Sequence, residues 1–386
     1  MRLVHTSDWH LGRIFYKTRL TEDQSFILEQ FVDLVRDERP DVVMIAGDVY
    51  DRSAPPVEAV ELLDATLSEI VLGLGVPTVV IAGNHDSPER LGFCSSLMSS
   101  KGLFVVGMPE TARPIPFYDE HGPVWVVPVP YAEPAMVRDR LASPEAVDHD
   151  LGMAAQLATA SRELGDAQRK VAVAHAYVYG GVPSESERPL TLGGTGGVDV
   201  MRFDGFSYVA LGHLHRPQGI PGSGCRYAGS LMKYSFDEAD HMKSVSVVEI
   251  DGAGQASLRT IALTPRHDLR RISGSFEQVL AAAGSDPGRD DYLSVQLSDL
   301  DSIWDAMSRL REVYPNVMQI ERPQQLCDGA QPRLAGAGID HRNRSLSQLF
   351  REFYEQTTGG PLDDEGMDAF VSTVERMKHQ EEAAVS

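Results

Sequence analysis

Three times within the first 86 residues, a short apolar run stops at a cluster of polar side chains. The clearest case is Val79-Val80-Ile81-Ala82, which leads directly into Gly83-Asn84-His85-Asp86. An unbroken apolar run, without alternation, fits an inner strand of a sheet covered on both faces. Gly83 lets the backbone turn without a Cβ penalty. The three polar residues then leave from the strand's carboxyl end, where open α/β sheets hold their ligands. Residues 2–7 repeat the pattern and end at Ser7-Asp8-Trp9-His10-Leu11-Gly12. Residues 41–46 repeat it again and end at Gly47-Asp48-Val49-Tyr50-Asp51. Between these runs, residues 21–38 and 56–72 have helical spacing, with Phe26, Ile27, Gln30, Phe31, Leu34 and Val35 on one stripe. A β-α-β-α-β rhythm of this kind predicts an α/β sheet with helices on its faces and the polar clusters gathered on one edge.

Shorter strands are expected at 103–106, 124–128, 170–174 and 206–211, with a helix around 150–165 and a glycine-rich loop over 180–198. The segments 171–175 and 210–215 repeat the apolar run ending in histidine, at His175 and at His213 and His215. A hairpin is expected for 245–250 and 257–263 across Asp251-Gly252-Ala253-Gly254. Beyond Pro265 comes a small β-α-β unit (291–297, 303–313, 316–320). A polar linker and two amphipathic helices over 345–356 and 364–377 follow. Leu346, Leu349, Phe350, Phe353 and Tyr354 form an apolar stripe that either packs back on its own domain or binds a partner protein, and partner binding is the reading taken here. The division is thus 1–265, 266–325, a linker at 326–344 and a tail at 345–386, in keeping with two or three domains for 386 residues.

No run approaches the roughly 18 apolar residues of a membrane helix, and residues 1–5 carry no signal-peptide pattern. Cys94, Cys225 and Cys327 are few and scattered, which fits a reducing cytoplasm and excludes a disulfide framework or a thiolate metal site. The net charge of −21 opposes nucleic-acid binding through the global field. Bases are concentrated locally, however: Arg13, Lys17 and Arg19 stand without an acid between Trp9 and Leu20, and residues 201–271 carry nine bases against seven acids. Arg52, Arg90, Arg216 and Lys233 also lie close to polar clusters. DNA binding would therefore rest on such patches, on bound cations or on a partner.

Collected together, the strand-end residues are Asp8, His10, Asp48, Asp51, Asn84, His85, His175, His213 and His215. A scaffold has no reason to place so many polar groups at strand ends. Oxygen and imidazole donors without thiolate suit Mn²⁺, Fe²⁺ or Zn²⁺. Seven ligands exceed what one transition metal takes and suit two ions that share a carboxylate.

In order along the chain, Asp8-Trp9-His10, Gly47-Asp48-Val49-Tyr50-Asp51, Gly83-Asn84-His85-Asp86, His175 and Gly212-His213-Leu214-His215 resemble the five motifs of the calcineurin-like metallophosphoesterases. The resemblance implies a four-layer α/β/β/α sandwich, here with a small α+β capping domain and C-terminal helices. It implies Asp8, His10 and His215 on a first metal, Asn84, His175 and His213 on a second, and Asp48 bridging. His85 would protonate the leaving oxygen, with Asp51 orienting its ring. Asp86 is left to support the turn.

A narrower likeness rests on Ser7–Gly12, Pro55-Pro56 after the second motif, Tyr227-Ala228-Gly229-Ser230 and Tyr234-Ser235-Phe236-Asp237-Glu238, which are similar to the SbcD family of bacterial nuclease subunits. That likeness implies a cytoplasmic, nucleoid-associated enzyme with two Mn²⁺ ions (Mg²⁺ also possible). Its activities would be 3′→5′ exonuclease action on duplex ends and endonuclease action on hairpins and single strands. It also implies a homodimer within a heterotetramer, the tail binding an SbcC-type coiled-coil ATPase. The chain has no Gly-x-x-x-x-Gly-Lys-Ser/Thr of its own, so ATP use belongs to that partner. Arg13, Lys17, Arg19, Arg52 and Lys233 are the candidate DNA contacts. Two other readings share these residues: a small-molecule phosphatase or cyclic-nucleotide phosphodiesterase, and a non-catalytic scaffold for a coiled-coil partner.

Overall fold

Alternate residues of the inner strands face two different apolar layers, and that alternation sets the architecture. The computed structural model describes residues 1–165, 167–187, 196–299 and 303–322, and in the C-terminal tail 347, 348, 350, 351, 354, 360–363 and 366–374. In chain order the principal strands are β1 (Arg2–Thr6), β2 (Val42–Ala46), β3 (Thr78–Ile81), β4 (Leu103–Val106), β5 (Ile115–Asp119), β6 (Gly122–Val129), β7 (Lys170–His175), β8 (Tyr208–Gly212), β9 (Gln218–Gly219), β10 (Cys225–Tyr227), β11 (Ser244–Ile250) and β12 (Ala256–Ala262). They form two six-stranded sheets, ordered β12-β11-β1-β2-β3-β4 and β9-β10-β8-β7-β6-β5. The strands β1 to β4 are mutually parallel, as are β6, β7, β8 and β10. Within each sheet, therefore, their carboxyl ends line up on one edge.

Leu3, Val42, Met44, Ala46, Val79 and Ile81 pack between the sheets, among Val126, Val171, Ala172, Ala210 and Leu211. Val4, Val43, Ile45 and Val80 point the other way, onto Ile27, Phe31 and Val35 of helix α1 (Thr21–Glu38) and Leu63 and Leu67 of α2 (Val57–Ser68). Helix α3 (His149–Ala160) covers the second sheet with Met153 and Leu157. The result is the expected helix–sheet–sheet–helix sandwich. Each fully buried branched side chain contributes about 1.5–3 kcal/mol. The helical spacing over 56–72 becomes an α-helix to Ser68 and a π-helical turn over Glu69–Gly73. β5 gave no strand signal because it contains Pro116; it lies at a sheet edge, where a missing N–H is tolerated.

Past Pro265, strands β13 (Leu269–Gly274), β14 (Tyr292–Leu297) and β15 (Val317–Glu321) form a parallel sheet. Helices α4 (Phe276–Ala282) and α5 (Ala306–Val313) connect them around Phe276, Leu293, Val295, Leu310, Tyr314 and Val317. The sequence pattern foretold the last β-α-β of this unit. It did not foretell β13 or α4, although Ser275 and Gln278 form a capping box at the start of α4. Leu269, Tyr292 and Met318 share an apolar layer with Phe15 and Leu20. On α1, Asp23 accepts hydrogen bonds from the Tyr292 hydroxyl (2.8 Å) and from His267 Nδ1 (2.7 Å).

Contacts divide the chain into Met1–Glu321 and Arg322–Ser386. Within the second unit, the Phe350 and Phe370 rings stack with centroids 3.9 Å apart. The linker at 326–344, with Cys327, and the stripe residues Leu346, Leu349 and Phe353 lie outside the described residues. Among the described residues no helix is long and apolar enough to cross a membrane.

Candidate active site

At the edge onto which the parallel strands run out, several non-glycine residues take positive φ. After β1, Asp8 and His10 take φ of 53° and 47°; after β2, Asp48 takes 49°; after β8, His213 takes 110°. A non-glycine residue in such a conformation costs on the order of 1–3 kcal/mol, and the surrounding structure has to impose it. Main-chain bonds from Asp8 N to the Gly47 oxygen (3.0 Å), His10 N to the Asp48 oxygen (3.0 Å) and Leu11 N to the Val49 oxygen (2.9 Å) lock the first two loops together. Buried Gln24 of α1 accepts from Gly12 N (3.0 Å) and donates to the His10 carbonyl (2.7 Å). Asp86, given only a local turn by the sequence, does more. Its carboxylate accepts from Gly83 N (2.9 Å), Val49 N (3.1 Å) and Tyr50 N (2.9 Å), and so ties the third loop to the second.

Two glycines allow the close approaches at this edge, Gly212 between the two sheets and Gly83 between neighbouring loops of one sheet. A Cβ on Gly212 would lie 1.8 Å from the Ala46 carbonyl oxygen, and one on Gly83 would lie 2.2 Å from Asp48 N. With the backbones this close, donors from both sheets converge. His10 Nε2 and His215 Nε2 are 3.0 Å apart. Asn84 Oδ1 lies 2.9 Å from His175 Nε2 and 3.1 Å from His213 Nδ1. Asp48 Oδ2 is 3.4 Å from His175 Nε2 and 3.8 Å from His10 Nε2. Asp8, His10 and His215 form one set of donor atoms close enough to hold a cation, and Asp8, Asp48 and His175 another. All seven sequence-predicted ligands therefore meet in one place. Only Asn84 among them is more than slightly exposed.

The electrostatics fit cations. Burial holds His10, His215 and His213 below the ordinary imidazole value, His213 at about 3, which is the neutral ligand form. Burial raises Asp8 to about 8, with the charge of Asp48 adding to the effect and His175 opposing it. Burial would raise Asp48 as well, but His175 and His10 hold it well below the carboxylate range. His175 is in turn raised to about 9 by Asp48 against its own burial. Two imidazole nitrogens face each other beside two adjacent buried carboxylates, and among the described residues buried His10 Nδ1 and Asn84 Nδ2 have no hydrogen-bond partner, so the donor set is only partly satisfied by protein contacts. Hard oxygen plus imidazole donors suit divalent first-row ions.

His85 stands half-buried beside this set, edge-on to the His10 ring at 4.7 Å. Its N–H donates to Asp48 Oδ1 (2.8 Å) and its Nδ1 bonds the Asp51 main-chain oxygen (2.7 Å). The contact expected between Asp51 and the His85 ring is thus made by the Asp51 carbonyl and not by its carboxylate. That carboxylate faces His10 Nδ1 (3.6 Å) and Arg13 (2.9 Å).

Two of the bases assigned to DNA are turned inward. Arg13 pairs with Asp51 and lies over the Tyr234 ring. Lys233 bonds the Ala239 carbonyl (2.6 Å) and Asp268 (2.9 Å), and so ties the sandwich to the small domain. Loops this rich in carboxylate recruit the nearest long cations for themselves. Arg19 pairs with Glu58, while Lys17, Arg52 and Arg216 are exposed. Sequence reasoning missed Ser186, Glu187, Glu238 and Lys243 behind His215. Glu238 lay in the quoted Tyr234–Glu238 motif, but nothing in the local pattern says that its side chain is wholly buried.

Residues 1–217 match the calcineurin-like phosphoesterase family profile, more than half of the chain, and the chain belongs to that family. Residues 265–358 match a second profile, SbcD_C, described as the type 5 capsule protein repressor C-terminal domain. The two in this order fit an SbcD-type nuclease subunit. Two solved structures are similar over 98% of their own length: a Thermus thermophilus protein (15% identity, 67% of this chain, TM-score 0.39) and a dimetal phosphatase from Danio rerio (13%, 69%, 0.40). Likenesses this distant carry no argument.

Proposed function

We propose that this chain is the nuclease subunit of a DNA-processing complex and hydrolyses DNA phosphodiester bonds with two divalent cations, Mn²⁺ foremost. The observation that carries the reading is the meeting of all seven donors at the joined edges of the two sheets. Asp8, His10 and His215 would hold one cation, and Asn84, His175 and His213 the other, with Asp48 shared. Bound there, the cations supply Lewis-acid charge that neutralises the phosphodiester and makes water acidic enough to attack at neutral pH.

The chain's own residues do the rest. The Asp51 carbonyl is an acceptor, so it fixes a proton on His85 Nδ1 and leaves Nε2 as the site of the mobile proton. Nε2 is then the atom from which His85 would donate to the departing oxygen. The backbone N–H of His85 on Asp48 keeps the acid in register with the shared ligand. Exposed Lys17, Arg52 and Arg216, with Arg19, would meet backbone phosphates. The acidic remainder of the surface makes binding depend on the cations and on an SbcC-type ATPase, docked on the tail helices, in a homodimer-based heterotetramer. The second profile favours DNA over a small phosphoester.

The test compares Mn²⁺-dependent degradation of linear duplex and hairpin DNA, with and without the ATPase, against hydrolysis of a chromogenic phosphodiester. DNA cleavage that vanishes with chelator supports the reading. Hydrolysis of the chromogenic ester with no DNA cleavage under either condition leaves a small-molecule phosphoesterase instead.

A further inference from the structure

Of the site's histidines, His215 has the most elaborate support behind its ring. Its Nδ1 lies 2.6 Å from Ser186 Oγ and 3.2 Å from Glu238 Oε1, and the Ser186 hydroxyl also donates to that carboxylate. Glu238 is fully buried. Its other oxygen accepts from Lys243 Nζ at 2.5 Å; Lys243, itself buried, also donates to the His215 carbonyl (2.7 Å) and Ser230 Oγ (2.8 Å). The backbone N–H of His215 donates to Glu187 (2.6 Å). Removing a carboxylate and an ammonium from water is expensive, and an apolar pair of equal volume would usually serve stability as well or better. Among the described residues the other histidines have less behind them: His175 Nδ1 rests on the Ala46 carbonyl, and His10 Nδ1 has no hydrogen-bond partner, with the Asp51 carboxylate 3.6 Å away.

We propose that Glu238, balanced by Lys243 and assisted by Ser186, is the positioning residue of the first cation site. A carboxylate only accepts, so the proton it draws from His215 sits on Nδ1, directly or through the Ser186 hydroxyl. That fixes the tautomer whose Nε2 lone pair faces His10 and Asp8, and it fixes the plane of the ring. Lys243 grips the His215 main chain as well as Glu238, so one buried ion pair holds both the ring and the backbone of the same residue. The inference rests on the two-cation reading above.

The test is calorimetric titration of the full-length chain with Mn²⁺, comparing wild type with the double variant Glu238→Gln/Lys243→Met. The double variant removes both buried charges and leaves neither unpaired. Wild type takes up two ions. In the double variant one site, the one abolished by His215→Ala, weakens by about 10–100-fold, while the site abolished by His213→Ala keeps its affinity. Ser186→Ala, which leaves the ion pair intact, weakens the same site to a smaller extent. A folded double variant that binds both ions as wild type does would overturn the proposal, because loss of a merely structural ion pair would change thermal stability without weakening one cation site selectively. If the double variant does not fold, unchanged first-site affinity in Ser186→Ala would overturn it instead. A wild type that binds no Mn²⁺ would sink the two-cation reading, not the assignment of Glu238 within it.

Discussion

Gly212→Ala adds one methyl group where the two sheets meet. A Cβ there lies 1.8 Å from the Ala46 oxygen and 2.9 Å from both the Ala46 carbonyl carbon and His175 Nδ1. Real Cβ contacts essentially never fall below 3.0 Å, so the strand end must retreat from the Ala46 oxygen by at least 1.2 Å (3.0 minus 1.8). The main obstacle is main chain, which no rotamer can relieve. The Ala46 oxygen also bonds His175 Nδ1 at 2.8 Å, Asp48 follows two residues later, and His213 is the next residue after Gly212. The retreat therefore separates the donors of one sheet (His175, His213, His215) from those of the other (Asp8, His10, Asp48, Asn84). Overpacking of this kind costs about 1–3 kcal/mol of stability, and a misplacement of about 1 Å costs about 10²-fold in rate. The assay is kcat on a chromogenic phosphodiester at saturating Mn²⁺, read beside urea unfolding. Gly284→Ala serves as control, since a Cβ there meets nothing within 4 Å. A Gly212→Ala protein with wild-type kcat and unfolding midpoint would refute the argument that contact between the sheets sets the site.

Three further outcomes follow from named contacts. His85→Ala should lower kcat by about 10²–10⁴-fold while Mn²⁺ uptake stays at the wild-type level; parallel loss of metal would place His85 among the ligands. Asp86→Ala strands the N–H groups of Gly83, Val49 and Tyr50, so urea unfolding should show a loss of about 3 kcal/mol or more; a loss below about 1 kcal/mol would contradict the bridge between loops. Asp119 is held well below the carboxylate range by the two-pronged bond from Arg169. A depressed folded pKa means stabilisation that is complete above the ordinary value of 3.8 and lost as pH falls beneath it. Asp119→Asn should therefore be less stable than wild type at pH 6, with a gap that narrows but does not close by pH 3, and a gap that stays constant or widens on acidification would reverse the sign.

What was legible in the sequence follows from how local each determinant is. The strands β1, β2 and β3 announced themselves because both their faces are buried, leaving runs such as Val42–Ala46 with no polar residue. The candidate ligands were legible because polar residues at the ends of such runs have no packing reason to be there. The small domain was half legible: β13 reads Leu-Arg-Arg-Ile-Ser-Gly, with alternate exposure and too few apolar residues to stand out. The atoms that do the work behind the site were not legible. Asp51 acts on His85 through a carbonyl, which every residue has. Arg13 and Lys233 look like surface bases until the fold brings Asp51 and Asp268 beside them. Glu238 and Lys243 are ordinary charged residues in sequence, and only the packing of the 236–238 turn against His215 takes them out of water.

The most direct measurement of the central claim is an anomalous-difference map from crystals grown with Mn²⁺. The account predicts two peaks at the joined sheet edges, one contacted by Asp8, His10 and His215 and the other by Asn84, His175 and His213, with Asp48 touching both. A single peak, or two peaks that do not share Asp48, would contradict it.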